Sequence, residues 1–262
     1  EQGLVAGWNG EFSEVRLPGV WTAAPAQQRL VGIPGMSDLV RHLADGLDVR
    51  RDQQIHRLRA VAGRICLLDP ADRDLGSFDQ VILAVPVPQA VVLLESYGPV
   101  CLPSMNYDTM WTLMLVLPHS LEVTWNAVEI FEGPIRRISR NQTKPGREVV
   151  PCAEHLVIHS SPEWGSAHRD DAADQVQVQL MEILGRLLQQ DIGQPTASMV
   201  HRWRYARPSG TQRSASEVSI PAAEEAVPGQ QAAEVSLQDL ANQGLFLCGD
   251  GITDGIRACC GV

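Results

Sequence analysis

Phe78-Asp-Gln-Val-Ile-Leu-Ala-Val-Pro-Val-Pro-Gln-Ala90 decides the fold class. Its centre is a nearly unbroken run of β-branched and aliphatic residues. Strands covered on both faces read this way, as in a parallel sheet packed between layers. Pro86 and Pro88 end the strand, and QAVVLLESYG opens a helix that leaves the sheet. A second buried strand, GLFLCGDG (Gly244 begins it and Gly251 ends it), stops at a Gly-Asp turn near the other end of the chain. Ligands of open α/β sheets collect at the carboxyl ends of strands, where backbone groups are free.

Working outward, Gly32-Ile-Pro-Gly-Met-Ser-Asp38 is rich in turn formers, and Ser37 is placed to cap a helix from Asp38 that stops at Gly46. LDVRR, Gln53–Val61 and RICLL read as successive strands. From Trp111 onward TLMLVL, LEVTWNAVEIF, IRRISRN and HLVIHSS are short strand-like segments parted by Pro, Gly and Asn, which predicts an antiparallel sheet. Val176, Leu180, Ile183, Leu184, Leu187 and Leu188 recur at helical spacing and predict an amphipathic helix within 170–191. HRWRYA (201–206) reads as a strand, and 209–242 as a loose excursion. The class is mixed α/β (α+β). Four segments follow: 1–28 connecting or belonging to the sheet domain, 29–92 and 241–262 forming the α/β domain, and 93–240 the antiparallel domain.

Composition narrows the function. Apolar residues make up 44% of the 262, which is ordinary for a globular chain and leaves no uncharged run long enough for a transmembrane helix. A formal charge of -10 disfavours a phosphate-backbone groove, and one basic stretch, 136–147, stands against it. Six scattered cysteines with no CxxC pair give no zinc site and read as reduced thiols of a cytoplasmic protein. No GxSxG elbow, HExxH pair or Walker loop occurs.

In LVGIPGMSDLVRHLA, FDQVILAVPVPQA, RNQTKPGR (140–147), HSSPEW (159–164), HRWRYA and LFLCGD, taken in this order, the chain resembles the renalase-like FAD-dependent oxidoreductases, relatives of the amine oxidases. RNxxKPGR, HxSPEW and HRWRYA are the more specific elements; the AVP and GD turns belong to flavoproteins generally. The resemblance implies non-covalent FAD on a glutathione-reductase-like (Rossmann-type) domain, beside an antiparallel substrate domain. It implies hydride transfer from an amine or an isomeric dihydronicotinamide to flavin, with molecular oxygen as acceptor; charge and hydropathy, separately, predict neither nucleic-acid nor membrane partners.

Carried over by position, the resemblance puts Ile55, Ala84, Pro86, Gly249, Asp250 and Gly251 at the cofactor. Asn141, Lys144 and Arg147, with Gly146, face the flavin cavity as the catalytic group. Trp111, His159, Trp164, Trp203 and Tyr205 stand on the substrate side. It also implies a GxGxxG turn that occurs nowhere in the chain, so the sequence reads as a fragment lacking its N-terminal phosphate-binding segment. Bland readings stand beside these: strand histidines at 159 and 201, core tryptophans, and a solvated Lys144–Arg147 turn. The rival function is a small-molecule-binding or degenerate fragment that no longer holds flavin.

Overall fold

The computed structural model describes residues 3–16, 19–97, 100, 102, 105–209 and 237–248. In chain order the elements are β1 (Val5–Gly7), β2 (Phe12–Arg16), β3 (Val20–Ala23), β4 (Leu30–Gly32), α1 (Asp38–Leu43), β5 (Arg57–Val61), β6 (Arg64–Leu68), β7 (Asp74–Phe78), β8 (Val81–Leu83), α2 (Val87–Leu94) and β9 (Asn106–Leu117). Then come β10 (Ala127–Ile130), β11 (Ile135–Arg140), β12 (Glu154–Ser160), α3 (Pro162–Ala167), α4 (Ala173–Leu188), β13 (Ala197–Ser209), α5 (Leu237–Asn242) and β14 (Leu245–Leu247). The fold is mixed α/β. Two compact units account for it: residues 1–49 with 108–206, and residues 50–107 with 207–262.

The first unit is built on a seven-stranded sheet in the order β13-β9-β12-β11-β10-β2-β3. The β9, β12, β11 and β10 run is the antiparallel sheet that the alternating segments predicted, with β9 beside β12 rather than β10. β10 also pairs in parallel with β2, so β2 and its antiparallel neighbour β3 extend this sheet. Residues 29–49 belong to this unit as well, because β4 pairs with β1. The contact units therefore divide at 49/50, 107/108 and 206/207, unlike the four segments expected from the sequence.

Strand alternation explains the core. Trp111, Leu113, Leu115 and Leu117 of β9 and Leu156 and Ile158 of β12 turn to one face. There they meet Val176, Leu180, Leu184 and Leu188 of α4. The helix runs Ala173–Leu188 with this stripe buried, as its spacing predicted. Buried Glu154 on that face is matched by Arg140, which donates from Nε and Nη2 to the two carboxylate oxygens at 2.8 and 2.9 Å. Gln142 donates to Glu154 too, and Leu121 N–H at 3.2 Å. A buried carboxylate is tolerated only when paired in this way.

The second unit holds an antiparallel sheet β5-β6-β7 and a parallel pair β8-β14. Leu58, Ile65, Leu83, Ala90, Leu94 and Leu245 share its core. The two strands that decided the fold class are thus neighbours, with Val81 opposite Leu245 and Leu83 opposite Leu247.

Several local expectations need correcting. The 78–86 strand is shorter and barer than its composition suggested. Phe78 closes β7, Asp79-Gln80 turn the chain, and Ile82 is 65% exposed, so β8 is buried on one face. LDVRR forms no strand, and Val49 within it lies exposed. Gln53–His56 likewise stay outside β5. Ser37 occupies the N-cap of α1, but its side chain makes no capping bond and its backbone is helical. Of the 209–242 excursion, Ser209 ends β13 and 237–242 form α5; the remainder lies outside the described residues.

Candidate functional site

The RNQTKPGR segment is a turn in which each polar side chain has a partner. Arg140 and Gln142 hold Glu154, and Gln142 accepts from His155 N–H at 3.1 Å. Thr143 Oγ1 donates to Arg140 C=O at 2.7 Å and accepts from Trp8 Nε1 at 3.1 Å. Lys144 Nζ donates to Asn141 Oδ1 at 3.2 Å and stands 5.2 Å from the centroid of the Trp8 ring. Gly146 takes φ +75, and a Cβ there would lie 2.7 Å from Ile33 Cγ2. Arg147 Nη1 donates to the carbonyls of Gly32, at 3.0 Å, and Pro34. The turn is therefore clamped onto the Gly32–Met36 loop rather than solvated. Arg147 is the clamp.

Lys144 is the sole lysine of the chain. It is half-buried, and no carboxylate among the described residues reaches it within 4.0 Å. Burial first, then the charges of Arg147 and Arg137, push its pKa down from 10.5 to about 8. Both guanidiniums act on the ammonium as like charges, and no carboxylate among the described residues offsets it directly.

That ammonium belongs to the sheet face opposite α4. Register places Thr112 beside His159, His159 beside Arg137, Arg137 beside Glu129, and Glu129 beside Glu14. Trp203 Nε1 donates to Thr112 Oγ1 at 2.9 Å and extends the row to β13. Alternation along β13 puts His201 and Tyr205 on this side with Trp203, and the His201 and Trp203 rings meet at 4.4 Å. Trp8 and Val31 cover Ala127 near the other end of the face. His159 is pushed below its ordinary pKa by burial and by the charges of Arg137 and Lys144. Among the described residues its Nδ1 is a buried polar atom with no hydrogen-bond partner.

The substrate-side set expected from the sequence therefore divides. His159, Trp203 and Tyr205 share the face that carries Lys144. Trp111 is 2% exposed on the α4 side, with Nε1 donating to His168 C=O at 3.1 Å. Trp164 sits in α3, its ring 4.0 Å from that of His168. HSSPEW makes local structural sense there: Ser161 caps α3 by accepting from Trp164 N–H, Pro162 begins the helix, and Ser160 Oγ accepts from Trp111 N–H. Arg137 was missed. Its signal was the alternation of IRRISR against HLVIHSS, which puts an arginine directly across from a histidine.

In the second unit, Ala84 and Pro86 follow the carboxyl end of β8, and Cys248 follows that of β14, bonding Leu83 C=O at 3.0 Å. Pro86 is the N-cap of α2. Ile55, half-buried, packs on the same core as Val85. Gly249, Asp250 and Gly251 lie outside the described residues. Two adjacent parallel strands ending side by side offer the free backbone groups that a nucleotide cofactor uses. No group of metal-binding side chains occurs among the described residues. No helix there is long and apolar enough to cross a membrane.

The model of the flavin-containing amine oxidoreductase family matches residues 2–259, and the chain belongs to that family. Its cofactor is accordingly FAD. The crystal structure of a candidate protoporphyrinogen oxidase from Exiguobacterium sp. 255-15 superimposes with a TM-score of 0.59 at 15% identity, over 86% of this chain and 48% of that one. Putrescine oxidase bound to putrescine matches at TM-score 0.47 and 16% identity, over 71% of this chain and 43% of that one. Cyclohexylamine oxidase from Brevibacterium oxydans IH-35A matches at 0.43 and 12%, over 82% and 47%. The chain spans about half the length of these proteins.

Proposed function

We propose that this chain supplies the substrate-side sheet and part of the cofactor domain of a renalase-like, FAD-dependent oxidoreductase acting on an amine or an isomeric dihydronicotinamide, with oxygen as acceptor. The observation that carries the reading is Lys144. It is held by Asn141 and Trp8, has no carboxylate partner among the described residues, and shares its sheet face with His159, Trp203 and Tyr205. FAD, when bound, would supply the acceptor for the hydride released when the substrate's C–H bond breaks.

The chain's own residues have defined parts in this. The two strand ends at Ala84–Pro86 and Cys248 would hold the cofactor, and the resemblance adds Gly249, Asp250 and Gly251 to them. Arg147 and Gly146 fix the lysine turn against the Gly32–Met36 loop, so the charge of Lys144 is in place before reaction. A preorganised cation in a water-poor setting favours a reduced, electron-rich centre without the reorganisation that water would need. Trp203 and Tyr205 give substrate an aromatic wall, and a substrate nitrogen lone pair assists loss of hydride. Lys144 holds its proton below about pH 8, so the electrostatic aid is present at neutral pH.

The test is turnover of the FAD-loaded protein, followed by oxygen uptake, with a panel of primary amines against isomeric dihydronicotinamides. Oxidation of one class at a rate well above free FAD supports the reading. A protein that retains FAD and oxidises neither returns it to a binding role.

A further inference from the structure

The row Thr112, His159, Arg137, Glu129, Glu14 carries nitrogen-bearing side chains at its middle and carboxylates at one end. Arg137 meets Glu129 at 3.5 Å on its outer side, and both side chains are 36% exposed. On its inner side stands His159, with the bare Nδ1. The fields of Arg137 and Lys144 both reach that imidazole, and Arg137 also acts on Lys144. Three nitrogen-bearing side chains from two strands and a clamped turn thus converge, and His159 and Lys144 have no carboxylate partner among the described residues. Like charges brought together in partial burial are costly unless an anion joins them. Buried polar atoms are rarely left unbonded without a ligand or water to satisfy them.

We propose that Arg137, His159 and Lys144 form an oxyanion subsite that takes a carboxylate or phosphate carried by the organic substrate. Arg137 supplies the charged fork, His159 a neutral N–H and Lys144 the point charge, which together suit a group with several acceptor oxygens. This rests on the redox reading for its purpose, since it restricts that reaction to substrates bearing an acidic group. A simple alkylammonium ion would be repelled here.

The experiment needs no turnover. The whole chain is titrated with inorganic phosphate, and separately with acetate, at pH 7 and constant ionic strength balanced with chloride. Binding is followed by calorimetry and by the NMR shifts of the His159 imidazole. Saturable binding of either oxyanion, with a His159 shift, is expected. Arg137→Met should weaken it by about tenfold or more, as for loss of one charged hydrogen bond, and Arg137→Lys should weaken it less. Glu129→Gln should tighten it about two- to fivefold, because a competing exposed carboxylate is gone. Opposite signs from neighbouring residues cannot arise from general loss of structure. A non-saturating response to both anions, or binding indifferent to Arg137→Met, overturns the proposal. Repeating the titration on FAD-loaded protein separates the sources: undiminished affinity assigns the subsite to substrate, and abolished affinity assigns the oxyanion to flavin and overturns it. Oxygen uptake on the panel above is scored independently, so failure of either reading leaves the other measurable.

Discussion

Arg147 donates to the backbone carbonyl of Gly32 at 3.0 Å, across 115 positions of sequence. A charged donor on a loop carbonyl is a stronger tie than a neutral one. Through it the KPGR turn and the GIPGM loop become one rigid piece, and Lys144 inherits a fixed position from both. The site's charge is thus placed by backbone geometry that lies far away in sequence.

Gly146 tests that tie. Its φ of +75 is unfavourable for an L side chain, and a Cβ would sit 2.7 Å from Ile33 Cγ2 and 3.3 Å from Pro34 Cα. Gly133, at φ +99 with nothing within 4 Å of a Cβ, carries the conformational cost alone. Urea denaturation should show Gly133→Ala losing about 1 kcal/mol and Gly146→Ala losing about 1–3 kcal/mol. Equal losses would mean that the two loops do not press on each other.

Glu154 is fully buried, and its partner Arg140 is largely so. Glu154→Gln leaves the guanidinium short of its counter-charge and should cost about 3–5 kcal/mol. Replacing both together, Arg140→Met with Glu154→Leu, should cost less than the single change, because no buried charge remains. Additive losses would show that the pair is solvated.

Lys144 gives a pH signature. Its folded pKa, about 8, lies below the ordinary 10.5, so the folded state binds the proton less tightly than the unfolded one. The penalty is fully present below about pH 8 and is relieved as pH rises from there towards 10.5. Stability of the parent should therefore climb across that window relative to Lys144→Met. At pH 7 the variant should match or exceed the parent in melting temperature. A variant less stable at pH 7, with no pH trend between the two, would contradict the burial of this ammonium.

Much of the architecture was legible because it is periodic. The α4 stripe, the β9–β12 alternation and the two apolar strand cores each announced their element. The errors fall where partners decide. LDVRR has strand composition but forms no strand among the described residues, and the run from Phe78 reads as one strand although Asp79-Gln80 turn the chain between β7 and β8. In the site, Lys144 and Arg147 stood out as charges beside a Pro-Gly turn. Their unlike jobs did not, since Arg147 is spent on two carbonyls supplied by residues 32 and 34. The alternation around Arg137 is readable in the sequence, but its meaning comes from register: a one-residue slip would turn it to the α4 face. Trp111 and Trp203 look alike in sequence, and the alternation of their strands sends one into the core and the other to the open face.

The most direct test of the account is anaerobic flavin reduction in FAD-loaded protein, read by stopped flow at pH 7 for the parent and Lys144→Met. Loss of one preorganised cation should slow reduction by about ten- to a thousand-fold while FAD content is largely spared. At a pH well above 8 the parent loses the same charge, and the gap between the two proteins should narrow. Rates at pH 7 within about twofold, under half a kcal/mol, would contradict the claim that Lys144 serves the reaction.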